Sequence, residues 1–216
     1  MTAFRIPERA WFERDVHTVA RDLLGAHLLR RSPDGTVVLR VTEVEAYDGA
    51  NDPGSHAYRG PTARNATMFG EPGHVYVYRH LGLHHCVNVV CAPPGRAAAV
   101  LLRAGEVVEG ADLARARRQA AGRCDSDRQL TRGPARLTVA LALTLADDGA
   151  DLLDRAGDLV LTVPDPAPGA REVASGPRVG VSGEGGRADL YPWRCWLVGE
   201  PTVSDYRAAS PRRRRA

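Results

Sequence analysis

Glu45, Tyr47 and His56 are the first residues whose types and spacing suggest chemistry. The run "TVVLRVTEVEAY", residues 36–47, starts as a half-buried strand, with Val37, Leu39 and Val41 two apart. The same alternation carries on to Glu43, Glu45 and Tyr47, so an aliphatic face ends in two carboxylates and a phenol. A carboxylate on a core face is costly unless something pairs with it or uses it. A carboxylate base beside an aromatic wall, at the mouth of a pocket, would suit activation of water next to a flat substrate. A solvated strand-end Glu and a Tyr capping the core account for the residues equally well.

The loop "NDPGSHAYRGPTARN" adds His56, Arg59 and Arg64. Each could simply be solvated; together they form a cationic lip suited to phosphate. Tyr76 and Tyr78 fall on one face of the next strand, and Cys86, Asn88 and Val90 on one face of the strand after it. A Tyr pair is commonly sheet packing, whereas an amide among Val and Cys needs partners or a ligand. His84, His85, Cys86 and Cys91 bring zinc to mind. Adjacent histidines point to opposite faces of a strand, however, and no second pair stands at ligand spacing, so no metal is expected. Arg103, ending "VLLRA" on the face of Leu101, is either a surface cation or one that orients a carboxylate such as Glu45.

These residues need elements to position them. Residues 11–25 read as a helix with Val16, Val19, Leu23 and Leu24 in one stripe. Strands at 26–31 and 36–47 flank the turn "SPDG". Residues 48–74 form a long loop, of a length that is usually functional. "HVYVYRH" and "LHHCVNVVC" suggest a hairpin with a two-residue tip at Leu81-Gly82. "AAAVLLRA" is a further strand, 107–121 and 134–146 read as helices, and "GDLVLTV", "PRVGV" and "CWLVG" as late strands. Without regular βαβ alternation the class is α+β. With 216 residues, 44% of them hydrophobic, the chain suits one domain, taken as 1–210, with 211–216 as a basic tail. No apolar run reaches the length of a membrane span and no leader is evident, so a cytoplasmic protein is expected. The net charge is +3, and all 29 basic residues are Arg. Arg is the better bidentate partner for phosphate, and without Lys no lysine Schiff base can form.

The segments "VEAYDGANDPGSHAYRGPTARNATMFGEPGHVYVY", "CVNVV", "VLLRA", "GPARL" and "PRVGV" together resemble the alkyladenine (3-methyladenine) DNA glycosylase family. The likeness runs from near residue 15 to near residue 198. It rests on E-A-Y, a His eleven residues beyond the Glu, R-N-x-x-M-F, P-G-x-x-Y-V-Y and L-L-R-A in order. The resemblance implies one compact domain with a curved antiparallel sheet, flanking helices and a protruding, DNA-inserting hairpin. It implies hydrolysis of the N-glycosidic bond of damaged purines flipped out of double-stranded DNA. Glu45 then matches the general base, and Arg103 with the Val179 carbonyl matches the groups that hold its water. Tyr47, His56 and Tyr78 match the walls around the flipped base, and Asn88 the residue that clashes with the 2-amino group of guanine. Arg59 and Arg64 would lie on the DNA. Where the family carries a Tyr that fills the gap in the duplex, this chain has Leu81. The resemblance implies a monomer working without cofactor or membrane, nucleoid-associated if bacterial. A non-catalytic damaged-DNA binder on the same fold is the alternative, and a small-nucleoside hydrolase a weaker one, since an Arg-rich lip would be idle without phosphates.

Overall fold

One long, distorted strand organises the molecule. The computed structural model describes residues 3–165 and 172–209; the tail at 211–216 lies outside them. The described strands form one antiparallel sheet: β1 (Ala3–Arg5), β2 (His27–Ser32), β3 (Gly35–Tyr47), β4 (Val75–His80), β5 (His84–Cys91), β6 (Ala98–Glu109), β7 (Leu159–Asp165), β8 (Val173–Gly176) and β9 (Arg194–Leu197). The main path runs β1-β7-β2-β3-β6-β5-β4, and β9 joins β3 beyond the end of β2, carrying β8 outside it. Helices α1 (Val16–Asp22), α2 (Ala111–Ala120) and α3 (Pro134–Ala140) cover one face. The chain is thus a single α+β domain. No described helix is long and apolar enough to cross a membrane.

The two faces of β3 are set by a bulge that alternation alone cannot show. Val41 pairs with Gly105 and Glu43 with Ala104, which leaves Thr42 as an extra residue on β3. Arg103 is the extra residue on β6, because the next pair is Val44 with Leu102. An inserted residue shifts the alternation by one. Val37, Leu39 and Val41 face the helix-covered core, and so do Val44 and Ala46. Simple alternation places Glu43, Glu45 and Tyr47 on the aliphatic face; the bulge overturns that expectation and turns them to the other side of the sheet. Gly105 allows the close approach, since a Cβ there would lie 2.5 Å from the Arg40 carbonyl oxygen.

Other differences have local causes. Helix α1 starts at residue 16 because the Asp15 carboxylate caps the His17 and Thr18 amides. Residues 107–109 are strand, not helix: β6 stays paired to β3 as far as Val38–Glu109, and Gly110, at positive φ, then turns into α2. Helix α3 stops at 140 in a Schellman arrangement, with Ala142 at φ 50° and the Leu143 amide bonded to the Thr138 carbonyl. "PRVGV" is a loop, and the strand that pairs with β9 is β8 just before it. The long loop contains 3-10 turns at Gly49–Asn51 and Ala66–Phe69. It covers a second apolar cluster, Ala57, Met68, Tyr76, Val90, Ala97 and Ala99, on the sheet face opposite the helices.

Candidate active site

On that second face β3, β4, β5 and β6 line one side of a cavity of about 690 Å³, with the long loop and residues 179–182 closing the rest. The size is ordinary for a small-molecule site. Glu45 is fully buried. Its Oε1 accepts the Val179 N–H at 2.7 Å and forms an ion pair with Arg103 Nη1 at 3.1 Å. Its Oε2 accepts the Tyr47 hydroxyl at 2.8 Å. A carboxylate has about four acceptor positions, so these three neighbours still leave room for a water proton. Burial, and next the Glu45 charge, push the Tyr47 phenol well above its ordinary pKa, which keeps it a donor.

The part of the cavity lined by β4 and the long loop is aromatic. The Tyr76 and Tyr78 rings stack at 5.6 Å, and His56 meets Tyr78 edge-on at 4.5 Å. His56 Nδ1 lies 3.2 Å from the Tyr76 hydroxyl. Partial burial, then Arg64 and His80, lower its pKa, which favours the neutral ring at pH 7. Burial also raises the Tyr78 pKa far beyond the usual phenol range. Asn88 is buried and donates through Nδ2 to the Tyr76 carbonyl at 3.0 Å, so its amide is fixed in place. Tyr76 thus supports both His56 and Asn88.

The loop bearing Val179 is held by a group that sequence reasoning passed over. Arg178 is 1% exposed. Its Nη1 and Nη2 each donate to an Asp52 carboxylate oxygen, at 2.5 and 2.7 Å, and also to the Ala46 and Gly185 carbonyls. Its guanidinium lies 4.5 Å from the centre of the Tyr47 ring. One side chain therefore backs the Tyr47 ring and holds the loop whose next amide bonds Glu45. Arg178 stands in "PRVGV", but nothing local marks it, because its partner Asp52 sits in the long loop, 126 residues away.

Glu43 was also missed as a site-building residue. Fully buried, its Oε1 accepts from Arg103 Nε and from the Ser204 hydroxyl, both at 2.8 Å, and its Oε2 accepts the Ser204 N–H at 2.7 Å. Arg194 Nε lies 2.8 Å from Oε1, at an angle unsuited to a hydrogen bond, while Arg194 Nη2 donates to the Ser204 carbonyl. Two carboxylates and two guanidiniums thus share one buried cluster. Burial works against the Arg103 charge, but Glu45 and Glu43 more than offset it and raise its pKa.

Glu45, Tyr47, His56, Tyr78, Leu81, Asn88, Arg103 and Val179 all line this one cavity. Val179 meets Glu45 through its N–H rather than its carbonyl. Arg59 and Arg64 are not among the lining residues; both are exposed on the loop, with Arg64 5.6 Å from the Tyr78 ring. The hairpin loop spans three residues, because the last strand pair is His80–His84. Leu81 is 81% exposed and Leu83, not singled out from the sequence, 73%.

Residues 10–201 match the family model for methylpurine-DNA glycosylase. Three bacterial relatives are provisionally named 3-methyladenine DNA glycosylases. That of Streptomyces avermitilis is 58% identical over 96% of this chain and 94% of its own length. That of Leifsonia xyli is 56% identical over 93% and 92%, and that of Nocardia farcinica 52% identical over 92% and 90%.

Proposed function

The chain belongs to the methylpurine-DNA glycosylase family, and from that premise we propose that Glu45 activates the water that releases a damaged purine flipped into the cavity. The observation that carries this reading is the Glu45 carboxylate, held by Tyr47, Val179 and Arg103 in a pocket that His56, Tyr76 and Tyr78 also line. A purine alkylated at N3 or N7 is cationic and leaves readily. It needs flat π faces and a base for water more than it needs an acid. Water oxygen bonds to the anomeric carbon as the glycosidic bond breaks. Its proton passes to Glu45, and the bond electrons neutralise the departing ring. Tyr47, Tyr78 and His56 enclose the base, and Arg103 with the Val179 carbonyl holds the water. Asn88 excludes guanine through its 2-amino group. The chain has no Lys, so no lysine Schiff base forms, which supports a reaction that ends at hydrolysis. The partner is double-stranded DNA, with Arg59 and Arg64 on its phosphates and Leu81 entering the gap left by the flipped nucleotide.

The test is single-turnover excision from a duplex with one lesion. Glu45→Gln keeps the shape but cannot take the proton, so a loss of ~10²-fold or more is expected, with lesion binding largely retained. Excision within tenfold of wild type would remove Glu45 from the role of base. A wild-type protein that binds lesions but releases no base would make the chain a damage binder instead.

A further inference from the structure

Resting on the reading of Glu45 as the base, we propose that Glu43 is a positioning residue, which with Ser204 divides Arg103 between two carboxylates and so sets the proton affinity of Glu45. A guanidinium offers a rigid fork and prefers to grip one carboxylate with two donors. Here it does not. Arg103 donates Nε to Glu43 at 2.8 Å, whereas its Nη1 meets Glu45 only as an ion pair, on a single oxygen at 3.1 Å. Its Nη2 is 3.4 Å from the Ser204 hydroxyl. Glu43 is held in turn by both the amide and the hydroxyl of Ser204 and by the nearby Arg194. Glu45 Oε2 is thereby left to Tyr47 and the cavity.

Without the Glu43 charge, the whole fork could close on Glu45. A carboxylate gripped by an undivided cation is a weaker base, and the loss of a nearby negative charge acts in the same direction. The other groups around Glu45 stay in place: Tyr47 on its own strand, Arg178 beside Val179, Tyr78 on β4, Cys86 on β5 and Arg194 across the β9 ladder. Ser204 lies three residues past the family-matched stretch that ends at 201. The segment carrying it is anchored by the Thr42–Thr202 hydroxyl pair and by Arg132, which donates to the Val203 carbonyl. Thr42 is the bulge residue that turned Glu43 and Glu45 to this face, so the bulge and the C-terminal segment build one support.

The experiment is the pH dependence of single-turnover release of 3-methyladenine from duplex DNA, with melting temperature and lesion binding measured alongside. Glu43→Gln should lower the plateau rate about tenfold and move the acid limb down by roughly half a pH unit or more. Ser204→Ala removes the hydroxyl donor from Glu43 and leaves its charge less neutralised. Glu43 then draws harder on Arg103, and the acid limb should move up by a few tenths of a unit. A purely structural role would lower stability and rate in both variants without moving the limb. Opposite shifts support the proposal, and any other pattern overturns it. If Glu43→Gln does not fold, the direction of the Ser204→Ala shift decides alone. Glu45→Gln is measured beside them: if it excises like wild type, both the reading of Glu45 and the role of Glu43 fall; if it is inactive while the limbs stay put, only Glu43 loses its role.

Discussion

At the scale of the residue, the site works by fixing side chains rather than by supplying many of them. The Asn88 amide is pinned to the Tyr76 carbonyl, so it cannot rotate away from an incoming base. Asn88→Ala should therefore raise the excision of undamaged guanine relative to damaged adenine by roughly tenfold, the scale of one steric mismatch in a tight pocket. An unchanged ratio in competition assays would make Asn88 a structural residue only. Tyr47 can be separated into ring and hydroxyl. Tyr47→Phe keeps the contact with Arg178 and removes the donor on Glu45 Oε2. A hydrogen bond to the charged form favours that form, so its loss leaves the carboxylate anion less stabilised. The acid limb of the pH–rate profile then moves to higher pH; a limb that stays in place would mean the phenol acts only as a wall.

At the scale of the element, the bulge and the hairpin decide what faces the cavity. Gly105→Ala puts a Cβ 2.6 Å from the Leu39 side chain, as well as against the Arg40 carbonyl. It should destabilise the fold by about 2 kcal/mol, readable as a lower melting temperature. The hairpin tip holds Leu81 at φ 49°, a conformation that disfavours Leu by about 1 kcal/mol, and leaves it exposed. Strain and exposure together fit a side chain kept for contact with DNA. Leu81→Gly should leave the melting temperature equal or higher and yet slow excision from stable pairs more than from mismatched or single-stranded lesions, because unstacking costs a few kcal/mol per step. Leu81→Tyr should match or exceed wild type. Equal slowing on paired and unpaired lesions would pass the role to a neighbour, with Leu83 the first candidate.

At the scale of the whole molecule, distant segments meet in two buried charge clusters. Removing one partner from the Arg178–Asp52 pair, as in Asp52→Asn, should destabilise by about 3–5 kcal/mol in thermal or denaturant unfolding. Arg59→Ala and Arg64→Ala should leave the fold alone and reduce the salt slope of DNA binding by about one each; an unchanged slope would take that arginine off the DNA. The sequence by itself determined the α+β class, the β3 strand, the β4–β5 hairpin and the residue types that converge on the cavity. Those signals are local: alternation, turn residues and dense motifs lie within a few positions of each other. It could not determine which face Glu43 and Glu45 occupy, because the bulge at Thr42 becomes visible only once β6 is paired beside it. Arg178 and Ser204 were likewise illegible, since a buried guanidinium or hydroxyl acquires its role from partners 126 and 161 residues away. Tertiary structure decided those points because desolvated charges must find opposite charges and donors wherever the folded chain happens to place them.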